Sequence, residues 1–411
     1  MNDSMSASTT AAVEPQANPD RPSLIERLFA LYLRGIRAGC LTVVMPSGAR
    51  MQFVGVYPGP HVILNIHDPR LFIRLLASGD LGFAEGYILG EWDSPDLKSL
   101  LTLGALNARA MAATTRPSLI SNLLNRFRHT CRANTRRGSR KNIAAHYDLG
   151  NVFFSFLLDE TMTYSSALFS YVDEPHEEAQ RRKYVRLARA LDLRPGERVL
   201  EIGCGWGGFA EIAAKEFGCT VVGITLSREQ EVFARARMAR SGLADRVEIR
   251  LQDYRDITGT FDKIVSIEMF EAVGEKNWQG YFSVLAQRLN PGGKAGLQVI
   301  TIDDGAFDAY RRNPDFIQRY IFPGGMLPSP AAFEQAAQDA GLIISDALYF
   351  GNSYAESLRR WDRAFQENWP HISRLGFDER FYRMWRYYFT YCEIGFELGR
   401  VDVGQFVIER A

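Results

Sequence analysis

The sequence lacks a charge surplus: 411 residues carry 48 Lys+Arg against 48 Asp+Glu. A dedicated nucleic-acid binder draws most of its affinity from excess Lys and Arg facing phosphates, so that class is excluded and no nucleic-acid partner is expected. Long apolar runs are missing too; nothing approaches the roughly 20 consecutive apolar residues of a membrane-spanning helix. Residues 1–20 lack the charged-then-apolar layout of a secretory signal, which points to a cytoplasmic chain. Cysteine is scarce. Cys40, Cys131, Cys204, Cys219 and Cys392 are odd in number, scattered and never spaced Cys-x-x-Cys, so a disulfide framework is not indicated. His61, His67, His129, His146, His176 and His371 include no His-x-x-x-His pair, and no metal site is expected.

What remains is an ordinary globular composition, 46% hydrophobic and 23% charged, in a chain long enough for two or three domains. Residues 1–22, rich in Ser, Thr, Ala and Pro, read as a disordered leader that cannot bury enough surface to order itself. Residues 23–115 read as a small α+β domain. It comprises a helix from Leu24, a hairpin built from Cys40–Met45 and Met51–Val56 around Pro46-Ser47-Gly48, a strand His61–Ile66, a helix Leu71–Ser78, and a segment Gly79–Trp92 punctuated by glycines. Residues 116–142 form a basic linker: Arg126, Arg128, Arg132, Arg136, Arg137, Arg140 and Lys141 occur with no acidic residue between them. Such a run serves as a plain solvated linker or faces anionic lipid, at about 1 kcal/mol per basic residue near a charged surface. Phe127 and Leu123-Leu124 suit an interfacial segment; RNA binding is a third reading, without a recognisable module to support it.

Residues 143–411 form the largest domain, and from Glu177 onward helices alternate with short apolar strands at Arg198–Ile202, Thr220–Ile224, Val247–Leu251, Lys263–Ile267 and Ala295–Ile302. A βαβ series of this kind predicts a parallel sheet with helices on both faces, and the aromatic-rich tail ends in a strand near Gln405–Glu409. The first strand runs into Gly203-Cys204-Gly205-Trp206-Gly207-Gly208, a turn that brings backbone close to a ligand at a helix N-terminus. The third glycine comes two residues after the second rather than three, and Glu201 lies inside the strand end. Both features favour S-adenosylmethionine over a dinucleotide, because that ligand has an amino-acid tail in place of a pyrophosphate. Pro291-Gly292-Gly293 before the strand at Ala295 is the second landmark of a class I S-adenosylmethionine methyltransferase, a Rossmann-like α/β fold.

The segments A-H-Y-D-L-G-N (145–151), T-Y-S-S-A (163–167), L-E-I-G-C-G-W-G-G (200–208), G-I-T-L-S-R-E-Q (223–230), Q-D-Y-R-D (252–256), S-I-E-M-F-E-A-V-G (266–274) and Y-I-F-P-G-G-M-L-P-S (320–329) resemble the cyclopropane fatty acid synthase family over residues 24–411. The resemblance implies S-adenosylmethionine-dependent alkylation of the cis double bond of unsaturated phospholipid acyl chains. It also implies that the N-terminal domain is lipid-associated and that the enzyme sits peripherally on the anionic inner membrane face; a homodimer stays open. For the cofactor it implies Tyr164 and Ser165 as lid contacts, Gly203 and Gly205 under the methionine portion beside Glu201, Thr225 and Gln230 at the ribose, and Asp253 and Tyr254 at the adenine. Without the resemblance, Thr225 and Gln230 read as a helix cap and a solvent-facing helix residue.

An alkene attacks a sulfonium methyl group only if held in line and away from water, and it leaves a carbocation that aromatic faces can stabilise. Phe270, Tyr320, Phe322 and Tyr354 are candidates for that role. A base must then remove a proton, and the family resemblance implies bicarbonate held by a cysteine, a glutamate, a histidine, a tyrosine and an isoleucine backbone group. Here Glu271, Tyr354 and Ile300 match, whereas Ser166 stands for the cysteine, Gln298 for the histidine of the following strand, and Ala272 for the histidine after the glutamate. With Ser166 and Gln298 as donors, bicarbonate is retained and a ring closes; with a weakened base site, a hydride shift gives a methyl- or methylene-branched chain. Glu268 is a second carboxylate at the same strand end, where such sheets bind ligands. N-methylation of a small amine, known among wider relatives, is the alternative activity.

Overall fold

The structure, a computed structural model, describes residues 15–16, 24–114 and 149–411. The basic segment 116–142 and the leader, apart from Pro15–Gln16, lie outside the described residues. Contacts divide the chain into two units. The first holds the described residues up to 114 together with Phe377–Ile394, and the second holds 149–376 with Gly395–Ala411.

The first unit is built on a five-stranded sheet in the order β1-β3-β2-β4-β5, with β1 at Pro15–Gln16, β2 at Ala38–Val44, β3 at Arg50–Val54, β4 at Tyr57–Ile66 and β5 at Trp92–Asp93. The hairpin expected around Pro46-Ser47-Gly48 is formed by β2 and β3, and Met45 and Ala49 close its turn with a 2.8 Å backbone bond. The Gly79–Trp92 segment is mostly helix, Asp80–Ile88. Its Gly82 serves close packing: a Cβ there would lie 2.2 Å from the Arg74 carbonyl oxygen of the preceding helix Arg70–Ser78. The helix Glu379–Glu397 joins this unit through Ile394. Its Glu393 pairs with Lys98 at 2.6 Å, and the Arg383 guanidinium donates to the carbonyls of Tyr87 and, at 2.7 Å, Trp92.

The second unit carries a seven-stranded sheet in the order β11-β12-β10-β9-β6-β7-β8, where β6 is Arg198–Ile202, β7 Thr220–Thr225, β8 Val247–Leu251, β9 Phe261–Ile267, β10 Leu289–Ile302, β11 Leu342–Tyr349 and β12 Val401–Arg410. β6 to β10 pair in parallel, as the βαβ pattern predicts. The sheet is nevertheless mixed, because β12 runs antiparallel to both β10 and β11. β11 gives little sequence signal: it is an edge strand, mostly outside the core, with a bulge between Ile344 and Asp346 that breaks its alternation. Two cores cover the two faces, one around Leu200, Phe261, Phe282 and Leu297, the other around Leu187, Val199, Phe209 and Val265.

Phe270 sits in the first of these cores, 1% exposed, with ring contacts to Trp278, Tyr281, Phe282 and Phe333 at 5.2–5.5 Å. Its ring is therefore occupied on all sides by core aromatics, which overturns the expectation that it faces a carbocation. Phe270→Ala should cost about 3–5 kcal/mol of stability by urea unfolding; an unchanged unfolding midpoint would show that the ring is not part of this packed core.

Candidate active site

The site forms where the parallel strands end. After Ile202 the chain reverses sharply: the backbone N–H groups of Gly203 and Cys204 both donate to the Ile224 carbonyl at 2.9 Å. Gly203 takes φ +82° and Gly205 φ +52°, and a Cβ at Gly205 would meet nothing within 4 Å, so the turn leaves open space at the N-terminal end of the helix Gly208–Glu216. Glu201 is buried behind this turn, takes a hydrogen bond from the Ala210 N–H and is pushed up to about 8, mainly by burial. Its Oε2 is buried without a partner.

At the end of β7 the Thr225 hydroxyl donates to Gln230 Oε1 at 2.7 Å and accepts from the Ser227 N–H at 3.1 Å. Ser227 is the cap of the helix Arg228–Arg240, accepting from the Gln230 N–H, and both Thr225 and Gln230 are buried, so neither is a cap or a solvent-facing residue. Asp253 is buried and engaged by the Arg255 guanidinium at 2.6 Å, while the Tyr254 ring meets Tyr281 edge-on. Tyr164 packs on Phe154 and Trp361. Ser165 accepts a 2.6 Å hydrogen bond from Lys183, a buried lysine inside a strongly basic helix. Burial lowers the Lys183 ammonium to about 7, against the attraction of Glu268. Lys183 has no sequence signal that separates it from its Arg neighbours; only its burial marks it.

The five residues expected to hold a base divide into two groups. The Ile300 N–H donates to Glu271 Oε1 at 2.6 Å, and Glu271 Oε2 is buried with no partner. Burial, reinforced by the neighbouring Glu268 carboxylate, pushes Glu271 up to about 8. Ser166, Gln298 and Tyr354 converge instead on Glu268. Its Oε1 accepts from the Ser166 N–H at 2.9 Å and from Gln298 Nε2 at 2.7 Å, and its Oε2 accepts from the Tyr354 hydroxyl at 2.6 Å. Glu268 is one of three non-glycine residues with positive φ among the described residues, at +50°, and a 2.8 Å bond from its N–H to the Gln298 carbonyl holds that backbone in place. Burial raises its carboxyl above the usual range, opposed by Lys183 and the three donors.

Residues 134–406 match the family model for mycolic acid cyclopropane synthetase. The chain belongs to that cyclopropane synthase family. It is 42% identical over 356 residues to tuberculostearic acid methyltransferase UfaA1 of Mycobacterium tuberculosis, covering 84% of this chain and 83% of that protein. It is 36% identical to the cyclopropane-fatty-acyl-phospholipid synthase of Escherichia coli over 84% of this chain and 87% of that one. The crystal structure of the mycolic acid cyclopropane synthase CmaA1 with SAH and CTAB superposes with a TM-score of 0.63 at 32% identity, over 66% of this chain and 98% of that one. The enzyme is thus an S-adenosylmethionine-dependent methyltransferase of the class I fold, in the group that modifies fatty acyl chains. The open glycine turn and the orphaned Glu201 Oε2 suit the co-substrate, whose polar tail supplies donors that the protein itself does not place there.

A raised carboxyl pKa has a defined sign in stability. The folded protein keeps a proton on Glu271 that the unfolded chain gives up, so this share of stability is full below the ordinary Glu range and declines as pH rises to about 8. Glu271→Gln should flatten that decline, with its stabilising effect largest at alkaline pH; an unchanged pH–stability curve from urea melts at pH 5 to 9 would show that Glu271 is not held neutral.

Proposed function

We propose that the enzyme alkylates the cis double bond of unsaturated phospholipid acyl chains at a membrane surface. The observation that carries this reading is the paired, partly buried carboxylates Glu268 and Glu271 beside an open co-substrate turn, because carbon alkylation needs both a methyl donor and a fixed acceptor for the proton lost afterwards. The co-substrate supplies an electrophilic methyl carbon. Gly203 and Gly205 would hold its amino-acid tail beside Glu201, Thr225 and Gln230 its ribose, Asp253 and Tyr254 its adenine, with Tyr164 and Ser165 covering it. The relatives' names, one a cyclopropane-fatty-acyl-phospholipid synthase and one a tuberculostearic acid methyltransferase, support a lipid acyl substrate.

A membrane location at the cytoplasmic face has two supports. Residues 126–141 are basic, and Ile73 and Leu76 on the helix Arg70–Ser78 are 63% and 80% exposed, well beyond an isolated surface apolar residue. Among the described residues no helix is long and apolar enough to cross a membrane. Chemistry narrows the product. Ring closure and formation of a methylene branch each add one CH2 unit and release one proton; a saturated methyl branch also needs a hydride donor. N-methylation has weaker support, since the fold match to coclaurine N-methyltransferase, at 20% identity, concerns architecture alone.

Expression in cells rich in cis-unsaturated phospholipids, followed by mass spectrometry of fatty acid methyl esters, should show acyl chains heavier by one CH2 unit. Unchanged acyl chains in the presence of folded protein that binds S-adenosylmethionine would refute the reading.

A further inference from the structure

Bicarbonate, the base that the family resemblance implies, does not fit this site. Every donor that would hold it is already committed. The Tyr354 hydroxyl and the Ser166 N–H go to Glu268, and the Ser166 hydroxyl donates to the Ala167 carbonyl at 2.9 Å. Gln298 Nε2 donates both to Glu268 and, at 3.3 Å, to the Ser166 carbonyl, while its Oε1 accepts from Gln405. The Ile300 N–H belongs to Glu271. An added anion would have to break these bonds and share a desolvated pocket with two carboxyl groups, where like charges repel strongly.

We propose that the Glu268 carboxylate is a built-in replacement for that anion, filling the centre of the donor cage and accepting the proton that the alkylated chain releases, so that turnover needs no bicarbonate. The inference rests on acyl-chain alkylation as the reaction. In it, the alkene π pair bonds to the methyl carbon, the carbon–sulfur pair leaves with sulfur, and a cation remains on the neighbouring alkene carbon. Glu268 then takes a proton from the added carbon, and the freed C–H pair closes the ring or, after a hydride has moved over by one carbon, forms the double bond of a methylene branch. Three of a carboxylate's roughly four acceptor sites are filled here, which leaves room for that proton. The proton passes to solvent before the next turnover.

The geometry explains why this role falls to Glu268. Positive φ at the end of β9 swings the side chain inward, and donors from the 163–167 loop, β10 and the helix Gly351–Glu367 meet it there. The longer Gln298, in the place of a histidine, bridges Glu268 to Gln405 on β12 and so fixes the carboxylate from behind.

The test compares purified full-length enzyme on unsaturated phospholipid vesicles in carbon-dioxide-free buffer and with millimolar bicarbonate added. Wild-type turnover should agree within twofold, and 13C-bicarbonate NMR should show no bound ion. Glu268→Gln, with its fold checked by circular dichroism and its S-adenosylmethionine affinity by calorimetry, should lose at least a hundredfold in turnover. Glu268→Ala, which vacates the cage, should bind 13C-bicarbonate and regain activity with it. A wild-type enzyme that binds bicarbonate or depends on it would overturn the proposal, as would near-wild-type turnover of Glu268→Gln. Failure of the wild type to modify any lipid would instead count against acyl alkylation, and the NMR arm would still decide whether the cage accepts an anion.

Discussion

One inward-turned carboxylate organises the end of the parallel strands. Glu268 costs free energy twice, through desolvation of a charge and through left-handed backbone at a residue with a side chain. Three hydrogen bonds and the nearby Lys183 ammonium offset that cost. Because the donors come from separate elements, the carboxylate also fixes their mutual geometry: the 163–167 loop, β10 and the helix Gly351–Glu367 cannot move apart without leaving a charge unsatisfied. The loop held in this way is also the one whose Ser165 receives Lys183 and whose Tyr164 packs beside Trp361.

Glu271 depends on the same centre. Burial and the neighbouring Glu268 carboxyl group push it up to about 8. Two carboxyl groups at one strand end are thereby both raised above the ordinary Glu range, because burial favours the neutral form. Glu201, buried behind the glycine turn, is a third carboxyl group pushed toward neutrality.

Much of the fold was legible in the sequence because the parallel strands β6 to β10 are short apolar runs with glycine turns between them, a pattern that follows from burial on both faces. The glycine turn and the Thr225–Gln230 pair were legible through resemblance to a family, although the pair's mutual hydrogen bond was not. Where the reading fell short, the cause was long-range convergence. Ser166, Gln298 and Tyr354 lie 102, 30 and 86 residues from Glu268, and only the folded sheet brings them to one carboxylate. Lys183 hides within a run of arginines, β11 is an exposed, bulged edge, and Phe270 resembles any aromatic until its four ring neighbours are seen. The match to the family pattern at 271, 300 and 354 is legible; that Ile300 bonds Glu271 and Tyr354 bonds Glu268 is not, because only the folded sheet brings those groups together.

The most direct measurement of acyl-chain alkylation is 13C NMR of phospholipid recovered after reaction of unsaturated vesicles with methyl-13C S-adenosylmethionine. The label should appear as a ring CH2 or a methylene-branch carbon on the acyl chain, with the head group unlabelled. Label on a head-group nitrogen, or none in the lipid while S-adenosylmethionine is consumed, would contradict the account.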